Sequence, residues 1–138
     1  MPEKGKELIK KLISVKKEDG SAMHQFFPLT MEANEGDSRE EAHLKDYYGD
    51  DHLWIVQTVI EYIKETGDYA FLEEEITFYD KNLKLKDRKK GTVLEHLKRS
   101  LTFTKNNCGQ HGLPMLGFAD WNDTCLLYTS DAADDSLR

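Results

Sequence analysis

In the first twenty residues, apolar side chains recur among lysines at the spacing of a helix. Four of them would form one apolar stripe on a helix of about three turns, and we expect that helix to end near the Asp-Gly pair at 19–20. The stretch that follows, residues 21–51, has no sustained hydrophobic periodicity and is longer than an ordinary connector. Its length favours a functional loop. The stripe consists of Leu8, Ile9, Leu12 and Ile13.

Residues 51–66 carry the broadest apolar stripe of the chain and predict its longest helix. Gly67 stands where the end of a helix favours a left-handed residue. Asp68 can then cap a second, shorter helix over residues 69–76, so the sequence predicts a helical hairpin. The predicted stripe consists of Leu53, Trp54, Val56, Val59, Ile60 and Ile63.

A third helix is predicted after the polar connector at residues 80–91. Thr92 and Glu95 have the spacing of a capping box, and the helix should stop between Asn106 and Gly109. No alternating strand pattern competes with these helices, so the expected fold class is all-α. Three or four such helices do not close a core alone, which indicates a slice of a larger helical structure. The expected apolar face consists of Leu94, Leu97, Leu101 and Phe103.

Charge and composition narrow the functional classes. The 138 residues carry a formal net charge of -7, which argues against a nucleic acid or an anionic membrane as partner because both need a basic surface. The sequence has no run of 18 apolar residues and no signal-peptide pattern, so we expect a soluble, cytoplasmic protein. Cys108 and Cys125 have no further ligands at metal-binding spacing, and we expect no metal site.

Four segments, taken in order, carry a family resemblance. "DGSAMHQFFPLT" (19–30), "GDDHLWIVQTVIEYIKETGDYAFLEEEI" (49–76), "GTVLEHLKRSLTFT" (91–104) and "GLPMLGFADWND" (112–123) resemble the catalytic domain of glycoside hydrolase family 94, the cellobiose and chitobiose phosphorylases. The resemblance implies an (α/α) toroid, a six-hairpin glycosidase-like barrel, of which this chain is a fragment. Members of the family are several-fold longer and generally form homodimers.

The resemblance also sets the expected domain boundaries. Residues 1–124 would be a partial family 94 catalytic domain, with Met1 in what is mid-protein in the family. Residues 125–138 back-translate, with ordinary codons, to DNA resembling the adapter of transposase-based sequencing libraries. We therefore expect this segment to be a translated adapter scar and not native sequence.

The acids near residue 120 are the candidate chemistry. Inverting cleavage with water uses two carboxyls, but inorganic phosphate is already an anionic nucleophile, so a phosphorylase needs only a general acid. The resemblance assigns that acid to Asp123 and places Trp121 against the sugar that is transferred, while Asp120 would hold the loop. From these residues alone, a surface turn anchored by a tryptophan remains the alternative.

The pair Asp50-Asp51 is the second candidate position. The resemblance implies that Asp51 binds hydroxyls of the same sugar, whereas two acids before a helix are also typical N-terminal caps, and Asp50 would have only that role. His24 is expected to be a packed or solvent-facing residue with no catalytic task. Lys45 stands near the place of a sugar-binding arginine in cellobiose-type members, which leaves the disaccharide preference open.

The resemblance implies an inverting glycoside phosphorylase, a hexosyltransferase that converts a β-linked disaccharide or oligosaccharide and phosphate to a sugar 1-phosphate. It implies no metal or organic cofactor; phosphate is the co-substrate. Three alternatives stay open: a β-glucan-processing or glucan-synthesising protein with this fold, a hydrolase, and a non-catalytic helical module. Because the phosphate-binding residues of the family follow the D-W-N-D motif, we expect this polypeptide alone to be inactive and poorly folded.

Overall fold

The structure is a computed structural model that describes residues 2–34 and 49–115. Three α-helices dominate these residues, and two short antiparallel ladders and two 3₁₀ turns connect them. No helix in this part of the chain has the length and apolarity needed to cross a bilayer. The elements are α1 (Pro2–Ser14), β1 (Gln25–Phe26), β2 (Ala33–Asn34), α2 (Asp51–Thr66), a 3₁₀ turn (Tyr69–Glu73), β3 (Glu75–Thr77), a 3₁₀ turn (Leu85–Asp87), β4 (Lys90–Thr92) and α3 (Val93–Asn106).

Helix α1 ends at Ser14, several residues before the expected end at 19–20. Past the helix the chain turns back on itself, because Lys16 forms a bridge with Ala22 and the Met23 N–H donates to the Val15 carbonyl at 3.1 Å. These backbone bonds satisfy donors and acceptors that a longer helix would have used. The prediction of the helix was therefore right in type and wrong at its end.

Helix α2 has the predicted bounds. Gly67 adopts φ 69° and its N–H donates to the Ile63 carbonyl at 2.8 Å, which confirms the left-handed helix end. The Asp68 carboxylate accepts from the Phe71 N–H at 3.2 Å, so the predicted cap of the next element is also confirmed. That element is a 3₁₀ turn that stops at Glu73, and not a helix to residue 76.

The all-α expectation did not include strands, yet residues 75–77 and 90–92 form two short ones. These residues pair as the antiparallel ladder β3–β4, in which Ile76 lies opposite Gly91. A side chain at Gly91 would meet the Phe78 ring at 2.8 Å, so the ladder depends on close approach of backbone to an aromatic ring. Strands this short have no readable alternation, which explains why the sequence did not predict them.

The core lies where the three helices meet. Ile13, Val59, Phe71 and Val93 are completely buried, and they belong to a single apolar cluster. Burial of this kind is the main favourable term in folding. This buried core argues against the expectation of poor folding. Urea unfolding of the chain tests that expectation.

The buried faces of α2 and α3 differ from the predicted stripes. On α2 the imidazole of His52 is buried in the core, while Trp54 is 60% exposed. On α3 the buried positions include His96 and Ser100, whereas Leu101 is 53% exposed. Each of these polar side chains can be buried because it has a hydrogen-bond partner within the protein. A prediction from hydrophobic periodicity does not take such partners into account.

A buried lysine ties the turn after α1 to helix α3. The Lys16 side chain is fully buried, and its Nζ donates to the His96 carbonyl at 3.0 Å and to the Ser100 hydroxyl. Ser100 in turn donates to the Gly20 carbonyl at 3.0 Å. Burial lowers the pKa of Lys16 to about 7. A neutral amine has two N–H groups, and both have acceptors here.

Gly20 brings the same turn into direct contact with the backbone of α3. It adopts φ 99°, and a Cβ at this position would lie 2.1 Å from the Arg99 carbonyl oxygen. Both the backbone conformation and the space therefore require glycine. The turn formed by residues 15–23 is thus fixed against α3 by backbone contact as well as by Lys16, and we call it the anchored turn.

We expect Gly20→Ala to lower the free energy of unfolding by about 2–4 kcal/mol, because it combines a positive φ with a backbone clash. Gly5→Ala is the matched control: Gly5 lies in α1, and an added methyl group there would have no neighbouring atom within 4 Å. That control should be neutral or stabilise the helix by up to about 1 kcal/mol. Urea unfolding followed by circular dichroism measures both, and equal effects of the two substitutions would contradict the close contact.

Lys16 should make stability depend on pH above neutrality. Its pKa is about 7 in the folded chain against 10.5 when exposed, so between these values the unfolded state binds more protons and stability rises with pH. We expect a gain of about 2 kcal/mol from pH 7 to pH 9 that Lys16→Met abolishes. Lys81→Met, at an exposed loop position, should retain the rise. Urea unfolding at both pH values tests this, and a rise that survives in Lys16→Met would exclude Lys16 as its source.

Candidate functional site

Asp51, for which the family resemblance implies sugar binding, is the first residue of α2. The backbone carbonyl of Asp50 begins the helix by accepting the N–H groups of Leu53 at 2.8 Å and Trp54 at 3.1 Å. The side chain of Asp51 is 18% exposed, so its carboxylate is partly sheltered and still reaches the surface. Asp51 is an acidic side chain in the first turn of α2, a position where the helix dipole interacts favourably with negative charge.

Asp50 does not cap α2 with its side chain, so that prediction was wrong. Its Oδ2 accepts a hydrogen bond from the indole Nε1 of Trp54 at 3.1 Å. Its Oδ1 is buried and has no hydrogen-bond partner among the described residues. The two neighbouring acids therefore have different environments: Asp50 is engaged by the indole, and Asp51 is engaged from another part of the chain.

The partner of Asp51 is His24. The Nδ1 atom of His24 lies 2.9 Å from Oδ2 of Asp51, and the two side chains are 15% and 18% exposed. An ionised carboxylate can only accept hydrogen bonds, so Nδ1 carries the proton and donates it. The two residues are 27 positions apart in the chain. Together they form what we call the His24–Asp51 pair.

Sequence reasoning missed the contact between His24 and Asp51. No spacing rule connects residues that are brought together only by the fold, and a lone histidine in a loop is usually packed or solvent-facing. The available signal was the segment "MHQFF", which belongs to the family resemblance and contains the strand β1 directly after the histidine. That signal marks a position in the family and does not name the partner of the imidazole.

His52, which follows Asp51, faces away from the site. Its Nε2 lies 2.7 Å from the Thr104 hydroxyl, and its ring meets the Phe103 ring edge to face at 5.1 Å between centroids. Burial and then the nearby charge of Lys16 lower the pKa of His52 to about 4. His52 is therefore neutral near pH 7, and it joins α2 to α3 beneath the site.

His96 is the second neutral histidine of the core. Its Nε2 donates to the Ile76 carbonyl at 3.0 Å, and its ring stacks on Phe78 at 3.9 Å between centroids. Burial is the main reason that its pKa falls to about 4. Like His52, it is a packed residue. No group of three His, Cys, Asp or Glu side chains within residues 2–34 and 49–115 could hold a metal ion.

The other predicted site residues, Trp121 and Asp123, lie outside the described residues, as do Asp120, Lys45 and the segment 125–138. Their assignments stay predictions. What the described residues provide is a partly sheltered carboxylate at a helix start, in contact with an imidazole. Such a carboxylate can accept hydrogen bonds from sugar hydroxyls, and its own charge needs no metal for that role.

A basic groove elsewhere on the surface is not part of this site. Its lining includes six lysines, from α1 and from residues 84–90, together with three glutamates, and neither His24 nor Asp51 borders it. Two of its cations are already neutralised, since Lys6 lies 2.8 Å from Asp68 and Lys10 lies 2.7 Å from Glu74. These ion pairs hold α1 against the segment after α2, which is a structural role.

Comparison with known proteins agrees with the resemblance read from the sequence. Residues 1–136 match the family described as "Glycosyl hydrolase 94 superfamily, catalytic domain". The chain is 32% identical over 124 residues to a solabiose phosphorylase of Paenibacillus borealis, covering 90% of this chain. It is 41% identical over 83 residues to an N,N'-diacetylchitobiose phosphorylase of Vibrio furnissii, and 31% over 81 residues to a 1,2-beta-oligoglucan phosphorylase of Listeria innocua, covering 60% and 58% of the chain.

The alignments cover only a small share of these relatives, namely 13%, 9% and 8% of their lengths. The family match nevertheless spans nearly the whole chain, and the His24–Asp51 pair lies within it. This chain therefore belongs to the glycosyl hydrolase 94 superfamily and matches its catalytic domain.

Proposed function

We propose that this chain is part of an inverting glycoside phosphorylase that cleaves a β-linked disaccharide or oligosaccharide with inorganic phosphate. The products would be a sugar 1-phosphate and a shortened acceptor. The proposal is supported by the family and by its relatives, whose names describe phosphorylases acting on chitobiose, solabiose and β-oligoglucan. Because the chain spans about a tenth of their lengths, the activity belongs to the whole protein.

The observation that carries the proposal is the environment of Asp51. Its carboxylate is sheltered but reachable, lies at the start of α2, and is oriented by His24 at 2.9 Å. A carboxylate that served only as a helix cap would turn to the free amides of its own helix. A carboxylate held by another element can instead present an oxygen to an incoming hydroxyl.

In the proposed reaction Asp123 is the general acid. It transfers its proton to the glycosidic oxygen as the bond from that oxygen to the anomeric carbon breaks. A phosphate oxygen bonds to the same carbon from the opposite face, which inverts the configuration and yields the sugar 1-phosphate. No second carboxyl is needed to deprotonate the nucleophile, because phosphate arrives as an anion.

Asp51 and Trp121 would bind the sugar whose bond to the acceptor breaks. Asp51 would accept hydrogen bonds from its hydroxyls, and the flat face of Trp121 would contact the C–H groups of its ring. Neither residue takes part in proton transfer. Their role is to hold the anomeric carbon between Asp123 and phosphate, which converts an encounter of three molecules into a reaction within one complex.

The whole catalytic domain would be an (α/α) toroid, with this chain as one piece of it. The phosphate site would be formed by residues outside residues 1–138, so we propose that the isolated chain has no phosphorolytic activity. The parent protein would be a cytoplasmic homodimer. Which sugar, linkage and acceptor it uses depends on contacts that these residues do not include.

We expect the uninterrupted protein that contains this chain to release sugar 1-phosphate from a β-disaccharide only when phosphate is present. Cellobiose, chitobiose and β-1,2-linked glucose disaccharides are the substrates to assay first. Asp123→Asn should lower kcat by about 10²–10⁴-fold, because general acid catalysis is worth about that much. Asp120→Asn is the matched control in the same motif, and it should retain most of the activity.

Other outcomes would favour the alternatives. Release of free sugar without phosphate would indicate a hydrolase. Absence of release from every β-glucoside would return the function to a glucan-synthesising protein or a non-catalytic helical module. Equal losses in Asp120→Asn and Asp123→Asn would contradict the assignment of the acid.

A further inference from the structure

We infer that His24 is a positioning residue for sugar binding: its Nδ1–H holds the Asp51 carboxylate in the orientation that receives a sugar hydroxyl. The inference rests on the proposed function, since it concerns the same sugar. It is based on the 2.9 Å contact between His24 Nδ1 and Asp51 Oδ2, and on the partial shelter of both side chains. A hydrogen bond with one ionised partner is among the stronger ones in proteins, and shelter from water preserves it.

The backbone on both sides of His24 is fixed. Before it, the buried residue Met23 donates its N–H to the Val15 carbonyl at 3.1 Å. After it, Gln25 begins β1 and lies opposite Asn34 in the ladder with β2. The imidazole is therefore carried by a short segment that is tied down at both ends.

The anchored turn extends this support into the core. Gly20 lies against the backbone of α3 and accepts a hydrogen bond from Ser100 at 3.0 Å, and Lys16 is bound to the same helix. A side chain mounted on such a frame loses little further conformational entropy when it orients a partner. The position of His24 relative to the start of α2 is thus set by packed elements and not by a free loop.

The free N–H groups at the start of α2 compete with the sugar for the Asp51 carboxylate. A partner from outside the helix is therefore needed to orient it. The first N–H groups of α2 have no acceptors within the helix, and an aspartate in the first turn can bend back to them. In that orientation the carboxylate would face its own backbone. The contact with His24 engages Oδ2 of Asp51 from outside the helix.

The choice of histidine also fits an uncharged ligand. A lysine or an arginine at position 24 would offer several donors and a permanent charge beside the carboxylate. The imidazole gives a directed donor at Nδ1, and the carboxylate that it contacts is a hydrogen-bond acceptor. A neutral sugar hydroxyl needs such an acceptor.

The test compares three variants at position 24 in the uninterrupted protein, using the β-disaccharide that supports phosphorolysis. His24→Leu removes the donor and should raise KM for the disaccharide about tenfold, with a smaller change in kcat. His24→Asn places an amide N–H where Nδ1 lies and should restore KM to within about twofold of the unsubstituted protein. His24→Gln places its amide further out, at the position of Nε2, and should resemble His24→Leu.

A double-mutant cycle separates orientation of Asp51 from a general effect on folding. Asp51→Asn alone should raise KM, and His24→Leu added to it should raise KM little further, because the two act through one interaction. Thermal unfolding of each variant provides the structural readout. If His24→Leu does not fold, the comparison of the two polar variants, Asn and Gln, still decides.

The role of His24 and the proposed function fail in different ways. If Asp51→Asn leaves KM and kcat unchanged, Asp51 does not bind the sugar and that part of the proposed function is wrong. If Asp51→Asn raises KM but His24→Leu does not, or if Asn and Gln at position 24 behave alike, the role of His24 is overturned and the proposed function stands. Independent effects in the double mutant would overturn that role as well.

Discussion

The contact of the anchored turn with α3 is the constraint on which the described part of the chain depends. The Gly20 carbonyl accepts a hydrogen bond from the Ser100 hydroxyl. The Arg99 carbonyl lies so close to Gly20 that a side chain at this position would clash with it. Lys16 closes the same contact from inside the core. Because the turn is fixed there, the position of the residues that follow it is fixed as well. His24, the first of them, contacts Asp51 at the start of α2.

Burial disfavours charge on the polar groups around this contact. Lys16, His52 and His96 share one region of the core, and each has a pKa that burial lowers. Three cations there would repel one another and would each need desolvation, whereas three neutral groups can serve as hydrogen-bond partners between helices. The core thereby joins the anchored turn, α2 and β3 to α3 through directed bonds. The carboxylate of Asp51, which is proposed to bind the sugar, is instead partly exposed at the surface.

The helix ends that depend on neighbouring residues were predicted from the sequence. Gly67 marks the end of α2, and the Thr92 hydroxyl accepts the Glu95 N–H at 3.1 Å at the start of α3. Features that depend on distant residues were not predicted. Trp54 was assigned to the buried stripe, but its indole donates to Asp50 and the ring remains exposed. The bond between His24 and Asp51 was missed because the anchored turn that brings them together is not visible in any local pattern.

Lys16 also has a consequence for the chemical reactivity of the chain. An amine with a pKa of about 7 is largely unprotonated in mildly alkaline buffer, so by its basicity alone it would react with acylating reagents well before the surface lysines. Its complete burial withholds it from them. Acylation at this position can therefore proceed only when the turn detaches from α3, and its rate measures how often the polypeptide opens there. The acylation rate of Lys16 thus reports on local unfolding of the segment that precedes His24.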